Sequence, residues 1–215
     1  MGQELRKTLE TGDAQTRFLS SVGTSLGSND PKSASDYASQ LPAGEGRDSF
    51  LAGVASGMAQ HSPEDAAKFV AEMPAGKSQD RAAMSVLSQW SEADPKGAAA
   101  WVSGFPEGST RDQGIQSLVS NWGRNDPKAA SDWLASLPVD KGQERAISSF
   151  VSQITWQFPE LAAPWAEKIT DPNQRNNSIA NVAQQWLQQN RPEAEKWLAR
   201  TTLPDERKQQ LLKTK

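Results

Sequence analysis

The feature that most constrains this fold is a period. Proline recurs every 32 residues at Pro31, Pro63, Pro95, Pro127 and Pro159, and once more, one residue late, at Pro192. Alanine keeps the step without a slip at Ala34, Ala66, Ala98, Ala130, Ala162 and Ala194. An aromatic residue keeps it at Tyr37, Phe69, Trp101, Trp133, Trp165 and Trp197. Two apolar series run alongside: Leu26, Met58, Trp90, Trp122, Ile154, Trp186, and Leu19, Leu51, Ala83, Ile115, Ile147, Ile179, Leu211. Leu5 and Leu9 fall in register with Tyr37 and Leu41, so the 215 residues hold about six and two-thirds repeats. A fixed period of this size marks an array of like units that are stable only when stacked on one another.

Each repeat spells two helices. Helix A opens on Asp-Pro, as at Asp30, Asp94 and Asp126: the carboxylate suits an N-cap, and proline suits the first helical position, where no N–H is needed. Its apolar residues, for example Ala34, Tyr37, Ala38 and Leu41, follow i, i+3, i+4, i+7 spacing. A proline and then a glycine (Gly44, Gly76, Gly108, with Gly12 in register) are expected to end it. Helix B carries a second stripe, Leu51, Val54, Ala55 and Met58, repeated as Ala83, Val86, Leu87, Trp90 and as Ile115, Leu118, Val119, Trp122. One hairpin cannot bury two stripes, so the repeats must stack. The expected fold is all-α: a right-handed superhelical α-solenoid of six to seven helix–turn–helix repeats, roughly 13 helices, forming one domain over residues 1–215. The chain begins inside a helix A and stops inside a helix B at "KQQLLKTK". Lys208, Gln209, Gln210, Lys213 and Lys215 fit a partial polar cap, and a segment of a longer array would look the same.

The consensus P-x-x-A-x-x-W-[LVA]-x-x-[LFMI]-P, a short loop, then R-D-x-x-I-x-x-[LV]-V-x-x-W resembles the tetratricopeptide-like and HEAT-like α-hairpin solenoids. It lacks the tetratricopeptide Trp, Leu-Gly and Tyr signature of helix A and is two residues shorter. It looks more like the DP-x-A-A-x-W helical repeats of bacterial proteins. That resemblance covers nearly the whole chain and implies a binding scaffold with no assigned activity.

Several function classes are disfavoured by composition. Net charge is −3 and the sequence pI about 5.3, which offers no footprint for nucleic acid or an anionic membrane. There is no cysteine, hence no disulfide framework or thiolate chemistry. No apolar run is long enough to span a bilayer, and the N-terminus lacks the apolar core of a signal peptide. Hydrophobic residues make up only 36%, but eight tryptophans, seven of them in the periodic series, argue for a packed core over disorder. His61 is the single histidine and sits in a turn, so no imidazole pair exists for a metal. Nucleophile-elbow, Walker, dinucleotide and zinc-protease motifs are absent, and acid pairs such as Glu64–Asp65 fall on helix starts. The expectation is a protein without enzymatic activity or cofactor.

Function is therefore sought in the positions that vary. The outward row of helix A (Lys32, Asp36, Ser39; Glu64, Lys68; Lys96; Lys128, Asp132) reads as a mixed-sign solvated face. The outward row of helix B differs. It begins Ser49, Gly53, Ser56 and continues as Arg81, Ser85, Ser88, then Gln113, Ser117, Ser120, then Arg145, Ser149, Ser152, then Asn177, Asn181, Gln184. Small polar side chains leave backbone near the surface for a partner to approach, or else permit tight helix packing. The start of helix B repeats Arg47-Asp48, Arg111-Asp112 and Arg175-Asn176; the arginines are expected to satisfy loop carbonyls. Seven tryptophans fall in core series. Trp156 does not: it lies in "ITWQFPELAAPWAEKITDP", where Pro164 interrupts the expected helix A and Pro172 replaces the loop glycine. That helix is expected to be shortened or kinked with Trp156 covering the gap, a ligand-anchoring role being the other reading.

The leading expectation is a protein- or peptide-binding scaffold that uses helix B as the concave face. The candidate residues are Arg81, Ser85, Ser88, Gln113, Ser117, Ser120, Arg145, Ser149, Ser152, Asn181, Gln184 and Trp156. The alternatives are an RNA-binding helical repeat, which the net charge argues against, and a glycan-binding or structural protein of the bacterial envelope.

Overall fold

A computed structural model describes residues 13–213. Leu5, Leu9, Gly12 and Lys215 lie outside the described residues. The described chain is all-α, with thirteen helices and short connections. The B-type helices are α1 (Asp13–Asn29), α3 (Glu45–Ala59), α5 (Lys77–Ala93), α7 (Ser109–Asn125), α9 (Lys141–Ile154), α11 (Pro172–Gln189) and α13 (Asp205–Lys213). Between them come the A-type helices α2 (Pro31–Gln40), α4 (Pro63–Glu72), α6 (Pro95–Ser103), α8 (Pro127–Ser136), α10 (Pro159–Glu167) and α12 (Arg191–Arg200). Every A helix except α12 starts on the periodic proline; α12 starts one residue before Pro192.

Two compact units make up the chain, one reaching Trp101 and one from Val102 onward. In the first, α1, α3 and α5 stack in sequence, α2 sits in the notch between α1 and α3, and α4 in that between α3 and α5. In the second, α7 packs on α9 and α11 on α13, with α8, α10 and α12 each seated against the B helices before and after it. Packing within each unit is thus that of stacked hairpin repeats.

Local chemistry explains the helix ends. Asp30, Asp94 and Asp126 accept hydrogen bonds from the amides of Ser33, Gly97 and Ala129 at 3.0–3.1 Å. Each such cap is worth about 1 kcal/mol. Helix A stops at Leu41, Met73 and Leu137 in extended conformation (ψ 138° to 149°) because each precedes a proline, which disfavours the helical region. The glycines have another role than the expected one. Gly44, Gly76 and Gly108 (φ 144°, 147° and 155°) do not end helix A; they are N-caps of helix B. Their backbone conformation is nearly exclusive to glycine. Further along the chain Asp140 and Asp171 take the N-cap place with negative φ and cap through their carboxylates to Gln143 N and Gln174 N.

Gln79, Gln143 and Arg175, in register near the start of helix B, close their hairpins. Gln143 Nε2 donates to the carbonyls of Leu134 (3.0 Å) and Leu137 (3.2 Å), Gln79 Nε2 to that of Val70 (2.9 Å), and Arg175 to those of Ile169 and Thr170. These are carbonyls at the end of helix A or, for Arg175, in the loop that follows it. Arg111 departs from the expectation: it is buried and pairs with the Asp140 carboxylate at 3.1 Å.

The alanine series is buried without remainder, from Ala34 to Ala194. The aromatic series meets the residues of the neighbouring B helix. Trp90 packs on Trp101, Trp122 on Trp133 and Trp186 on Trp197, at 5.6–6.0 Å between ring centroids. Where Ile154 breaks the series, Phe150 takes the place against Trp165. Two indoles also tie successive A helices: Trp165 Nε1 donates to Ser131 Oγ (2.9 Å) and Trp197 Nε1 to Glu167 Oε1 (2.7 Å). Tyr37 is the series member that is not enclosed, at 42% exposure.

Candidate functional site

The helix-B row does two different jobs. At its start it is a packing surface: Ser49 and Gly53 are buried, not outward. The cause is the α1–α3 contact, where Gly23 and Gly27 interlock with Gly53 and Gly57. A Cβ placed on Gly53 would lie 2.1 Å from the Ser20 carbonyl oxygen, and one on Gly57 2.1 Å from that of Thr24. Gly23 and Gly27 are as close, at 2.2 Å, to the carbonyl oxygens of Phe50 and Val54. The two backbones touch because four side chains are missing.

The same four positions carry larger residues further along the chain, Gly123 excepted. Between α3 and α5 they are Ala55 and Ala59 against Ser85 and Gln89. Between α7 and α9 they are Val119 and Gly123 against Ser149 and Gln153. Between α9 and α11 they are Val151 and Thr155 against Asn181 and Gln185. Helices α7 and α9 still pack along their length, whereas α9 and α11 approach at few points. A groove opens between them.

That groove is one of the concavities on the helix-B side of the second unit. Its deeper part, about 290 Å³, is walled on α9 by Val151, Ser152, Thr155 and Trp156. On α11 the facing wall is Ser178, Asn181, Gln184 and Gln185. A separate concavity of about 410 Å³ lies nearer the helix N-termini, between Glu144, Arg145, Ser148 and Ser149 on one side and Thr170, Asp171 and Gln174 on the other, with Thr170 Oγ1 donating to Glu144 Oε1 across it. A shallower depression of similar size lies over Ser120, Ser149 and Ser152, between α7 and α9.

Of the expected site residues, Ser120, Arg145, Ser149, Ser152, Asn181, Gln184 and Trp156 therefore line concavities of one unit. Gln113 is exposed on α7 and Ser117 half-buried, and neither lines one. Arg81, Ser85 and Ser88 belong to the first unit, where Arg81 and Ser88 are exposed and Ser85 is half-buried. Ser148, Ser178 and Gln185 are not among the expected residues: a groove between two helices draws on the rows flanking the outermost one, and only the outermost row is evident on a single helical wheel.

Trp156 does not cover a gap. It is 70% exposed. Helix α9 ends at Ile154, Thr155 Oγ1 turns back to the Val151 carbonyl at 2.5 Å, and Gln189 Nε2 donates to the Trp156 carbonyl at 2.7 Å. Its main chain is held while its indole projects. Pro164 is accommodated inside α10, which spans nine residues, one fewer than α8. Helix α6 is equally short without an internal proline.

Hydrogen bonding separates the two walls. On α9, Arg145 is paired with Asp112 (3.0 Å), Ser149 Oγ accepts from Gln116 (2.7 Å), and Ser152 donates to the Ser148 carbonyl (2.9 Å). On α11, the side chains of Ser178, Asn181, Gln184 and Gln185 make no hydrogen bond among the described residues. His61 sits apart, exposed, 3.3 Å from Ser28 Oγ. Among the described residues no group of His, Asp or Glu is arranged to hold a metal, and no helix is long and apolar enough to cross a membrane. Comparison of the chain with family models, with curated proteins and with solved structures returns no match.

Proposed function

We propose that the chain is a non-catalytic scaffold of the α-solenoid type that binds a protein or peptide partner on its helix-B face. One observation carries the reading: three concavities of the second unit share that face, and seven of the side chains expected to bind a partner line them. The periodic residues are absorbed by capping, hairpin closure and core packing, which leaves the variable row free to differ from repeat to repeat. The opposite candidate surface, the outward side of the A helices, carries exposed local pairs such as Lys128–Asp132 and Lys68–Asp65. Such pairs contribute little and present no concavity.

The test is a random heptapeptide display library panned on the immobilised chain, with selected peptides measured against wild type, Ser149→Trp and Ser117→Trp. Ser149 lines two of the concavities and Ser117 none, so Ser149→Trp is expected to abolish binding and Ser117→Trp to spare it. Unchanged affinity in Ser149→Trp overturns the assignment of this face.

A further inference from the structure

We infer that the α9–α11 groove takes an extended, uncharged stretch of peptide, with one flat apolar or aromatic side chain laid on the Trp156 indole. This rests on the helix-B reading above and names the ligand. Three observations lead to it.

The first is size. From Ser178 to Gln185 the α11 wall of the deeper part rises about 10 Å at 1.5 Å per residue, room for about three residues of extended chain at about 3.3 Å each. The second is charge. None of the eight side chains around the deeper part of the groove is ionisable in the physiological range. A phosphate or a carboxylate-rich ligand would find no counter-charge there, and a basic one no carboxylate. The third is hydrogen-bonding capacity. Each Asn or Gln amide offers a donor pair and an acceptor side by side, which matches the N–H and C=O of a peptide unit. Asn181, Gln184 and Gln185 have none of that capacity committed within the described chain. A sugar would also stack on an indole, but the strongest partners for its hydroxyls are ionised groups, which this part of the groove lacks.

The arrangement is a built one. Asn181 and Gln185 occupy the positions held by Gly53 and Gly57 at α1–α3, so the residues that hold the helices apart also offer the free amides. The Gln189 bond to the Trp156 carbonyl fixes the turn that presents the indole. A large exposed indole beside a walled groove is the kind of anchor that dominates peptide affinity.

The experiment uses the full chain and peptides from the heptapeptide library, with Trp156→Ala and Asn181→Ala read by fluorescence anisotropy and the fold checked by circular dichroism. Both sites are exposed, so the variants are expected to fold as wild type. Selected peptides are expected to lack charge over about three central residues and to carry an aromatic residue or proline. Trp156→Ala should weaken them at least about tenfold, and Asn181→Ala by a smaller factor. Peptides that Ser149→Trp blocks but Trp156→Ala leaves unaffected would overturn this inference and leave the helix-B reading standing. An absence of any selected peptide would overturn both. Neutral oligosaccharides that bind wild type and not Trp156→Ala, in place of peptides, would overturn the peptide assignment in favour of a glycan.

Discussion

Replacing Gly57 by alanine should separate α1 from α3. The added methyl would sit 2.1 Å from the Thr24 carbonyl oxygen and 2.7 Å from the Ser28 nitrogen. A carbon rests about 3.3 Å from a carbonyl oxygen, so the helices must part by about 1 Å. Both obstacles are backbone, and no side chain can rotate away. Overpacking of this kind costs about 1–3 kcal/mol, and a rigid obstacle belongs at the upper end. Alanine returns about 1 kcal/mol through its better helix propensity. The expected net loss is about 2 kcal/mol. In a stacked array it falls on the affected interface, because stability there is a sum of neighbour terms. Amide hydrogen exchange in α1 and in the facing turns of α3 should therefore quicken about thirtyfold. Gly123→Ala is the control. Its methyl would meet only side-chain atoms, of Phe150 at 3.2 Å and Ile154 at 3.4 Å, and should be close to neutral. Exchange in Gly57→Ala no faster than in wild type would refute the backbone contact, and with it the explanation of why the later groove is open.

Other substitutions test other links. Asp140→Ala should cost about 3–5 kcal/mol by urea unfolding, since it strips the α9 cap and leaves the buried Arg111 guanidinium unpaired, whereas Asp140→Asn keeps the cap and should cost less. The Ser33 hydroxyl and amide hold the Asp30 carboxyl below its ordinary value of 3.8, and the Lys68 ammonium followed by the Ser62 hydroxyl does the same for Asp65. A depressed folded value means that the stabilisation is present above 3.8 and is lost as pH falls through the folded values. Carboxyl NMR titration should place both midpoints below 3.8; a midpoint at or above it would contradict the cap geometry.

Much of the fold is legible in the repeat itself. Proline at the first helical position, an aspartate before it and an alanine three residues on have local meanings, and they place the start of nearly every A helix. The glycines are harder to read. Gly44 lies between two helices, and sequence order cannot say which one it serves; the prolines at 42, 74 and 138 already end helix A by constraining the residue before them. A single helical wheel puts Gly53 and Ser149 on the same outward face. Only the neighbouring helix distinguishes a buried Gly53 from a groove-lining Ser149. The needed signal is in the sequence as a column: Gly53, Ser85, Ser117, Ser149 and Asn181 grow along the chain. Trp156 is a different case, since nothing local says whether an indole off the core register turns inward or out.

The most direct measurement is a ¹H–¹⁵N NMR titration of the full chain with a selected peptide. The expected result is a compact set of shifts at the Trp156 indole, Ser152, Ser178, Asn181 and Gln185, with the outward residues of α8, α10 and α12 silent. Shifts centred on those A-helix residues, such as Lys128, Asp132 and Glu160, would contradict it.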